Sequence, residues 1–119
     1  MKTVTLKIGS EIVIDGHPQD NLRPVEFTGE EVGSRRYYTD ERGTRGTTET
    51  LYRTEDGRLT VYVELWSRWQ GEPNYYKLVR AEAADLDVGG RFEALGRAVG
   101  LARPLTLDEA LSEAEEADD

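Results

Sequence analysis

The chain has 119 residues, a hydrophobic fraction of 37% and a formal net charge of -9 at pH 7. This length is typical of one domain with one core, so a single domain is predicted over residues 1–119. The absence of cysteine excludes disulfides, thiolate metal ligands and a thiol nucleophile. No apolar run reaches the length of a signal peptide or a membrane span, so we expect a cytoplasmic protein without a membrane partner.

Charge is unevenly distributed along the chain. Residues 108–119 contain seven acids and no base, which leaves residues 1–107 with a net charge of only -2. Residues 34–80 contain nine bases and seven acids. The sequence therefore predicts a nearly neutral body with a mildly basic sheet region and a strongly acidic tail, rather than a uniformly acidic surface. The tail acids singled out as candidates for binding a partner are Asp108, Glu109, Glu113, Glu115 and Glu116.

Short strands are predicted through the first third of the chain. Residues 3–8 alternate apolar and polar side chains, which is the period of a half-buried strand. Gly9-Ser10 interrupts this pattern and residues 11–14 resume it with β-branched side chains, so a first hairpin is expected there. A loop over 15–21, a strand over 25–28, a turn over 29–33 and a strand containing Tyr37 and Tyr38, preceded by Arg35 and Arg36, are predicted to follow.

The strongest short-range signal is a hairpin between residues 47–54 and 59–69. An Asp-Gly pair, Asp56-Gly57, separates two alternating segments and favours a two-residue type I′ turn. In that register Thr54, Tyr52 and Thr50 face Leu59, Val61 and Val63 and, with Leu65, form the core face. The opposite face then collects Arg53, Leu51, Glu49 and Thr47 against Thr60, Tyr62, Glu64 and Trp66, with Arg68 beyond.

A further antiparallel strand is predicted over residues 74–81, after the break at Gln70-Gly71-Glu72-Pro73. The sequence as a whole therefore predicts an α+β fold. An antiparallel meander of about four to six strands over residues 1–82 is followed by two short C-terminal helices over residues 88–117.

The two helices are indicated by different signals. Phe92, Leu95 and Val99 recur at helical spacing and Gly100 can adopt a left-handed cap, so a helix is expected at about residues 90–99. Thr106 and Glu109 are spaced as a capping box, which predicts a second helix over residues 107–117. Its apolar stripe comprises Leu107, Ala110, Leu111 and Ala114, and residues 118–119 are expected to be frayed.

Catalytic and metal chemistry find little support in the sequence. His17 is the only histidine and lies between Asp15 and Asp20 in a segment rich in turn formers. Two loop ligands without a further His or Cys make a poor transition-metal set, so a solvated turn without a metal or cofactor is expected. No serine lies in a Gly-x-Ser-x-Gly nucleophile elbow.

The predicted register also places Glu49 directly opposite Glu64. Like charges in this position destabilise a sheet, so the pair either marks a cation-binding spot or is neutralised by Arg53 and Arg68 in a salt-bridged surface ladder. We favour the ladder. A small carboxylate-dependent enzyme built on such a pair is the alternative.

The segment from Trp66 to Tyr76 is the best indication of a binding surface. Trp66 and Trp69 point to opposite faces of a strand, so one is expected in the core and the other at the surface. Trp, Tyr and Arg carry most of the binding energy at protein interfaces. The predicted partner-binding residues are Arg53, Tyr62, Trp66, Arg68, Trp69, Tyr75 and Tyr76. In the competing interpretation, the C-terminal helices cover this face.

The strings Thr48-Glu49-Thr50-Leu51-Tyr52-Arg53-Thr54, Asp56-Gly57-Arg58 and Trp66-Ser67-Arg68-Trp69-Gln70-Gly71-Glu72 resemble small uncharacterised accessory proteins of bacterial and phage mobile elements. The resemblance covers about the middle third of the chain and contains no defined catalytic or binding motif. It implies a dedicated accessory role such as anti-CRISPR-like counter-defence.

These observations together predict a non-catalytic protein-binding module, such as an inhibitor or adaptor from a phage or mobile element. One alternative is an acidic nucleic-acid mimic that acts through the C-terminal helix on a nucleic-acid-binding protein. Direct nucleic-acid binding by Arg35, Arg36, Arg42 and Arg45 is opposed by the overall acidity. A Trp-bearing strand at a sheet edge would also invite a homodimer by strand addition.

Overall fold

The computed structural model describes residues 1–117, in which an antiparallel sheet of five strands closes into a barrel and is followed by helices. The strands are β1 (Lys2–Ile14), β2 (His17–Tyr38), β3 (Arg45–Thr54), β4 (Leu59–Ser67) and β5 (Asn74–Ala81). A 3-10 turn (Ala83–Leu86), α1 (Glu93–Ala98) and α2 (Leu107–Ala117) follow. The predicted antiparallel sheet and the two C-terminal helices are confirmed, whereas closure into a barrel is not anticipated by the sequence. The tail predicted to fray, residues 118–119, lies outside the described residues.

β1 and β2 form one long hairpin, and the predicted break at Gly9-Ser10 is wrong. Gly9 stays within β1 and pairs with Leu22, at a φ of 124°. A Cβ atom on Gly9 would stand 2.1 Å from the Asn21 carbonyl oxygen, so glycine permits a close approach inside a continuous strand. The chain reverses instead at Asp15-Gly16, where φ is 52° and 78° and Ile14 pairs with His17. Two successive positive φ values are the requirement of a type I′ turn.

β2 continues through the turn predicted at residues 29–33. The pairing with β3 passes from Glu31 opposite Tyr52 to Gly33 opposite Leu51, which leaves Val32 as a bulge. Gly29 pairs with Lys2 on one side and Thr54 on the other, so β2 changes partner there from β1 to β3. The length and bending of this one strand allow a five-stranded meander to curl into a barrel.

The hairpin between β3 and β4 is present, but its register differs by one residue from the prediction. Arg53 pairs with Leu59 and Leu51 with Val61. The Thr54 amide donates to the Arg58 carbonyl at 2.8 Å and the Gly57 amide to the Thr54 carbonyl at 2.9 Å, which defines a three-residue loop. Gly57 has a φ of 84°, as the left-handed position of such a loop requires. The extra loop residue exchanges the two faces of β3 relative to β4.

The core lies on the outer face of the barrel, beneath α1 and the 3-10 turn. Its members are Leu51, Val61, Val63, Ala81, Leu86, Phe92 and Leu95. Leu51 therefore occupies the place predicted for Tyr52 and Thr50, while Leu65, expected in the core, is 37% exposed. A Cβ atom on Gly96 would stand 1.8 Å from the Leu86 carbonyl oxygen, so this helical glycine allows α1 to lie against the 3-10 turn.

The two helices differ in how they are held. α1 is shorter than predicted and ends before Gly100, which has the expected left-handed φ of 77°. α2 begins with the predicted capping box, in which Thr106 and Glu109 exchange hydrogen bonds of 3.0 and 3.2 Å. Its apolar stripe is not buried, because Leu107 is 74% and Leu111 51% exposed.

Candidate interaction site

Four side chains meet at one end of β4 and form what we call the aromatic-arginine cluster: Arg36, Tyr38, Trp66 and Arg68. Pairing across three strands brings them together, since Tyr38 lies opposite Gly46, and Gly46 opposite Trp66. Because Gly46 has no side chain, Tyr38 and Trp66 meet across the intervening strand. Arg68 follows the end of β4.

Trp66 is the centre of this cluster. The guanidinium carbon of Arg36 lies 4.3 Å from the centroid of the indole and that of Arg68 lies 5.5 Å away. Tyr38 meets the same indole edge to face at 5.8 Å and 84°. The two arginine–indole distances lie within the range of cation–π attraction, which holds both guanidiniums over the ring. The side chain of Trp66 is half-buried, and its Nε1 has no hydrogen-bond partner among the described residues.

The electrostatics of the cluster favour an anionic partner. Arg36 and Arg68 are exposed and form no ion pair with any described carboxylate within 4.0 Å. Glu64 lies two residues before Trp66 on β4, and the charge of Arg36 acts on its pKa. Burial raises the pKa of Glu64, and Arg36 opposes this with a smaller effect. The guanidinium donors of both arginines are therefore free to bind a carboxylate.

Trp69 extends the exposed surface beside the cluster. It is 46% exposed, and its Nε1 donates to Thr44 Oγ1 at 2.9 Å. The loop that holds Thr44 is organised by Asp40, which accepts the Thr44 amide at 2.9 Å and the Arg45 amide at 3.1 Å. The Thr44 hydroxyl also donates to Asp40. This hydrogen bond is the largest cause of the lowered pKa of Asp40, and the two amide contacts add to it. The loop between β2 and β3 is thus tied to the loop after β4.

Arg45 strengthens the same connection. Its guanidinium forms a bidentate pair with Glu72, with Nε–Oε1 and Nη2–Oε2 distances of 2.9 Å. Glu72 also accepts from Ser67 Oγ at 2.7 Å. Arg45 is therefore occupied by an internal carboxylate, unlike Arg36 and Arg68.

Tyr62 and Tyr76, two of the predicted partner-binding residues, line the interior of the barrel. Their rings stack at 6.3 Å with an interplanar angle of 15°. Tyr62 donates to the Lys7 carbonyl at 2.7 Å, and Tyr76 donates to Glu11. Burial raises the pKa of Tyr62 to about 12. Both hydroxyls are engaged in joining β1 to the rest of the barrel.

Arg53 and Tyr75 lie apart from the aromatic-arginine cluster. The shifted register places Arg53 on the outer face beside Leu59, where it pairs with Glu30 at 3.4 Å. Tyr75 is also on the outer face, opposite Leu65, and is 49% exposed. Of the seven predicted partner-binding residues, the structure therefore places Trp66 and Arg68 in the aromatic-arginine cluster and Trp69 beside it, whereas Tyr62 and Tyr76 form a separate stacked pair.

The predicted pair of acids does not exist. Glu49 lies opposite Val63 and Glu64 opposite Thr48, so the two carboxylates point to different faces of the sheet. This is the direct consequence of the three-residue loop. Glu49 instead faces Arg35 at 3.6 Å, and its burial raises its pKa.

The described residues contain no group of three His, Cys, Asp or Glu side chains placed to hold a metal ion. His17 is exposed at the first position of β2, opposite Ile14. His17 is therefore not part of the aromatic-arginine cluster.

The acidic tail is exposed along α2. Asp108, Glu113 and Glu115 face solvent. Glu109 is engaged internally by Arg103, at 2.8 Å for Nη1–Oε1 and 3.0 Å for Nη2–Oε2. This bidentate contact is the main cause that lowers the pKa of Glu109 to about 2. The side chain of Glu116 lies outside the described residues.

Two members of the cluster, Arg36 and Tyr38, are absent from the predicted partner-binding set. The signal was present in Arg35-Arg36-Tyr37-Tyr38, because a strand over these residues places one Arg and one Tyr on each of its faces. Which member of each pair faces Trp66 depends on the register of two ladders, β2 with β3 and β3 with β4. Local sequence does not encode that information.

Comparison with protein-family models, with curated proteins and with solved structures finds no match to this chain. Within residues 1–117, every helix is too short or too polar to cross a membrane.

Proposed function

We propose that this chain is a non-catalytic protein-binding module that engages its partner through the aromatic-arginine cluster. We further propose that it acts as an inhibitor or adaptor of a phage or mobile element, in anti-CRISPR-like counter-defence. The observation that carries the first proposal is the stacking of two exposed guanidiniums, Arg36 and Arg68, on one tryptophan. Trp, Tyr and Arg dominate the energetic centres of protein interfaces.

The arrangement is suited to binding because the cluster is already ordered. Gly46 and the edge of Tyr38 fix the indole, and the indole in turn orients the two arginines. Fewer rotamers are lost on association when the side chains are preorganised, so more of the contact energy appears as affinity. Tyr38, which is 57% exposed, supplies an apolar ring and a hydroxyl at the edge of the cluster.

The test is capture of a partner from host lysate by the full chain, compared between two charge-matched double variants. Arg36→Gln with Arg68→Gln removes both stacked guanidiniums. Lys2→Gln with Arg23→Gln removes two exposed positive charges elsewhere. A protein retained by the wild type and by the Lys2 and Arg23 variant, but lost with the Arg36 and Arg68 variant, supports the proposal. Equal retention by all three chains contradicts it.

A second candidate function rests on α2. Its acids are exposed and its apolar stripe is unburied, so the helix is available to occupy a basic groove on a nucleic-acid-binding protein. Such contacts weaken steeply with salt. Deletion of residues 112–119 distinguishes the two candidates, because it removes most of the tail acids and leaves the aromatic-arginine cluster intact. Partner capture that survives this deletion eliminates the acidic mimic.

A further inference from the structure

Only a short ladder closes the barrel between β1 and β5. These strands pair only where Gly9, Ser10 and Glu11 face Tyr76, Tyr75 and Asn74. Toward the other end of β5, no strand pairing to β1 closes the wall within the described residues. The hydrogen bond from Tyr62 on β4 to the Lys7 carbonyl on β1, at 2.7 Å, is a further contact between β1 and the rest of the barrel.

A pocket of about 460 Å³ lies near that end of β5. Its apolar lining is Val25, Phe27, Leu59 and Leu78, all half-buried. Phe27 is held in place by an edge-to-face contact with Tyr52 at 5.6 Å and 87°. The volume falls within the range of about 300–1,000 Å³ for small-molecule sites, and the mouths of β-barrels are common places for them.

The pocket lining also contains polar residues. Arg58 and Arg80 line it together with Thr54 and Thr60. Arg58 is occupied, because its Nε donates to Asp56 at 2.7 Å. Arg80 is exposed and forms no ion pair with a described carboxylate. One guanidinium without an ion pair, in a pocket that is otherwise lined by apolar side chains and two threonines, complements a ligand with one anionic head and an apolar chain.

We propose that this pocket binds a single-chain amphipathic carboxylate. The apolar chain lies against Phe27 and Leu78, and the carboxylate accepts hydrogen bonds from Arg80. This site is separate from the aromatic-arginine cluster: Thr60 and Trp66 stand six residues apart on β4, which corresponds to about 20 Å. The inference therefore stands or falls independently of the proposed function.

The test is a titration of the ¹⁵N-labelled full chain with octanoate, octanol and acetate, followed by amide chemical shifts. We expect saturable shifts around the pocket with octanoate, weaker binding of octanol and none of acetate. Arg80→Gln is expected to weaken octanoate at least about tenfold, since a hydrogen bond to a charged group is lost, and to leave octanol unchanged. Arg23→Gln, a matched exposed charge on β2, is expected to alter neither.

Several results would overturn the assignment. They are the absence of saturable octanoate binding, equal octanoate affinity in the wild type and Arg80→Gln, or shifts that map to the aromatic-arginine cluster instead of the pocket. Leu78→Trp provides a second variant that fills the pocket. It must abolish octanoate and octanol binding alike while the amide spectrum stays dispersed, and retained binding would contradict the proposal.

Discussion

Gly46 lies directly beneath the indole of Trp66, its partner across β3 and β4. A Cβ atom on Gly46 would stand 2.3 Å from Trp66 Cζ2 and 2.7 Å from the Tyr37 carbonyl oxygen. The carbonyl belongs to a paired strand and cannot move freely, so any added side chain must displace the indole. The position of Trp66, and with it the stacking of Arg36 and Arg68, therefore depends on a glycine in the neighbouring strand.

Gly46→Ala is expected to destabilise the protein by about 1–3 kcal/mol, the usual cost of overpacking. It should also change the environment of the indole. Chemical denaturation measures the first effect. Tryptophan fluorescence in a Trp69→Phe background, where Trp66 is the sole tryptophan, measures the second. Unchanged stability together with an unchanged emission spectrum would show that the indole does not rest on Gly46.

The register of the central hairpin is tested by two leucines. Leu51 is fully buried and Leu65 is 37% exposed, the reverse of what an Asp56-Gly57 two-residue loop predicts. Leu51→Ala is expected to cost about 2–5 kcal/mol because it opens a cavity in the core. Leu65→Ala is the matched control and should cost less than about 1 kcal/mol. Equal losses of unfolding free energy in urea denaturation, or a larger loss for Leu65→Ala, would contradict the observed register and support the two-residue loop.

Comparison of the two Asp-Gly pairs shows where local sequence is insufficient. Asp15-Gly16 makes the type I′ turn, whereas Asp56-Gly57 belongs to a three-residue loop with Glu55. The local sequence of both pairs favours a two-residue type I′ turn. Packing of the flanking strands decides whether a pair forms that turn or part of a longer loop. The Thr54 side chain helps to close the longer loop, since its Oγ1 accepts the Arg58 amide at 3.0 Å.

Features that depend on neighbours in sequence were predictable, and features that depend on distant partners were not. The capping box of α2 and the bounds of β5 follow from residues within a few positions of each other. The continuity of β1 through Gly9 depends on Asn21 across the hairpin. The membership of Arg36 in the candidate site depends on two successive strand pairings.

The raised pKa of Glu49 makes the stability of the protein depend on pH, in a direction that can be derived. Burial raises the pKa of Glu49 in the folded state above its ordinary value, against a smaller opposing effect of Arg35. Its contribution to stability is therefore complete below the unfolded-state pKa and is lost as the pH rises through the folded-state pKa. Glu49→Gln mimics the neutral acid. It is expected to match the wild type near about pH 3.5 and to exceed its stability by up to about 1 kcal/mol at neutral pH.

Urea denaturation of both chains across this pH range provides the measurement. Because other carboxyls titrate identically in the two chains, the difference isolates Glu49. A wild type that gains stability over Glu49→Gln as the pH rises would mean that the ion pair with Arg35 outweighs burial.

α2 is expected to unfold without affecting the barrel. Thr106→Ala removes the hydroxyl that accepts the Glu109 amide, and the exposed Leu107 and Leu111 provide little packing to compensate. ¹³C secondary shifts over residues 107–115 should fall toward coil values while the thermal midpoint of the barrel stays unchanged. A lowered midpoint would show that α2 supports the core.

The central claim, that the aromatic-arginine cluster contacts the partner, is tested most directly by site-specific photo-crosslinking in host lysate. Tyr38→p-benzoylphenylalanine places the reactive group at the exposed edge of the cluster, and the same residue at Leu111 or Val13 probes α2 and the tip of the β1–β2 hairpin. We predict one discrete adduct from position 38 and none from positions 111 and 13. An adduct from position 111 or 13 with none from position 38 would contradict this account.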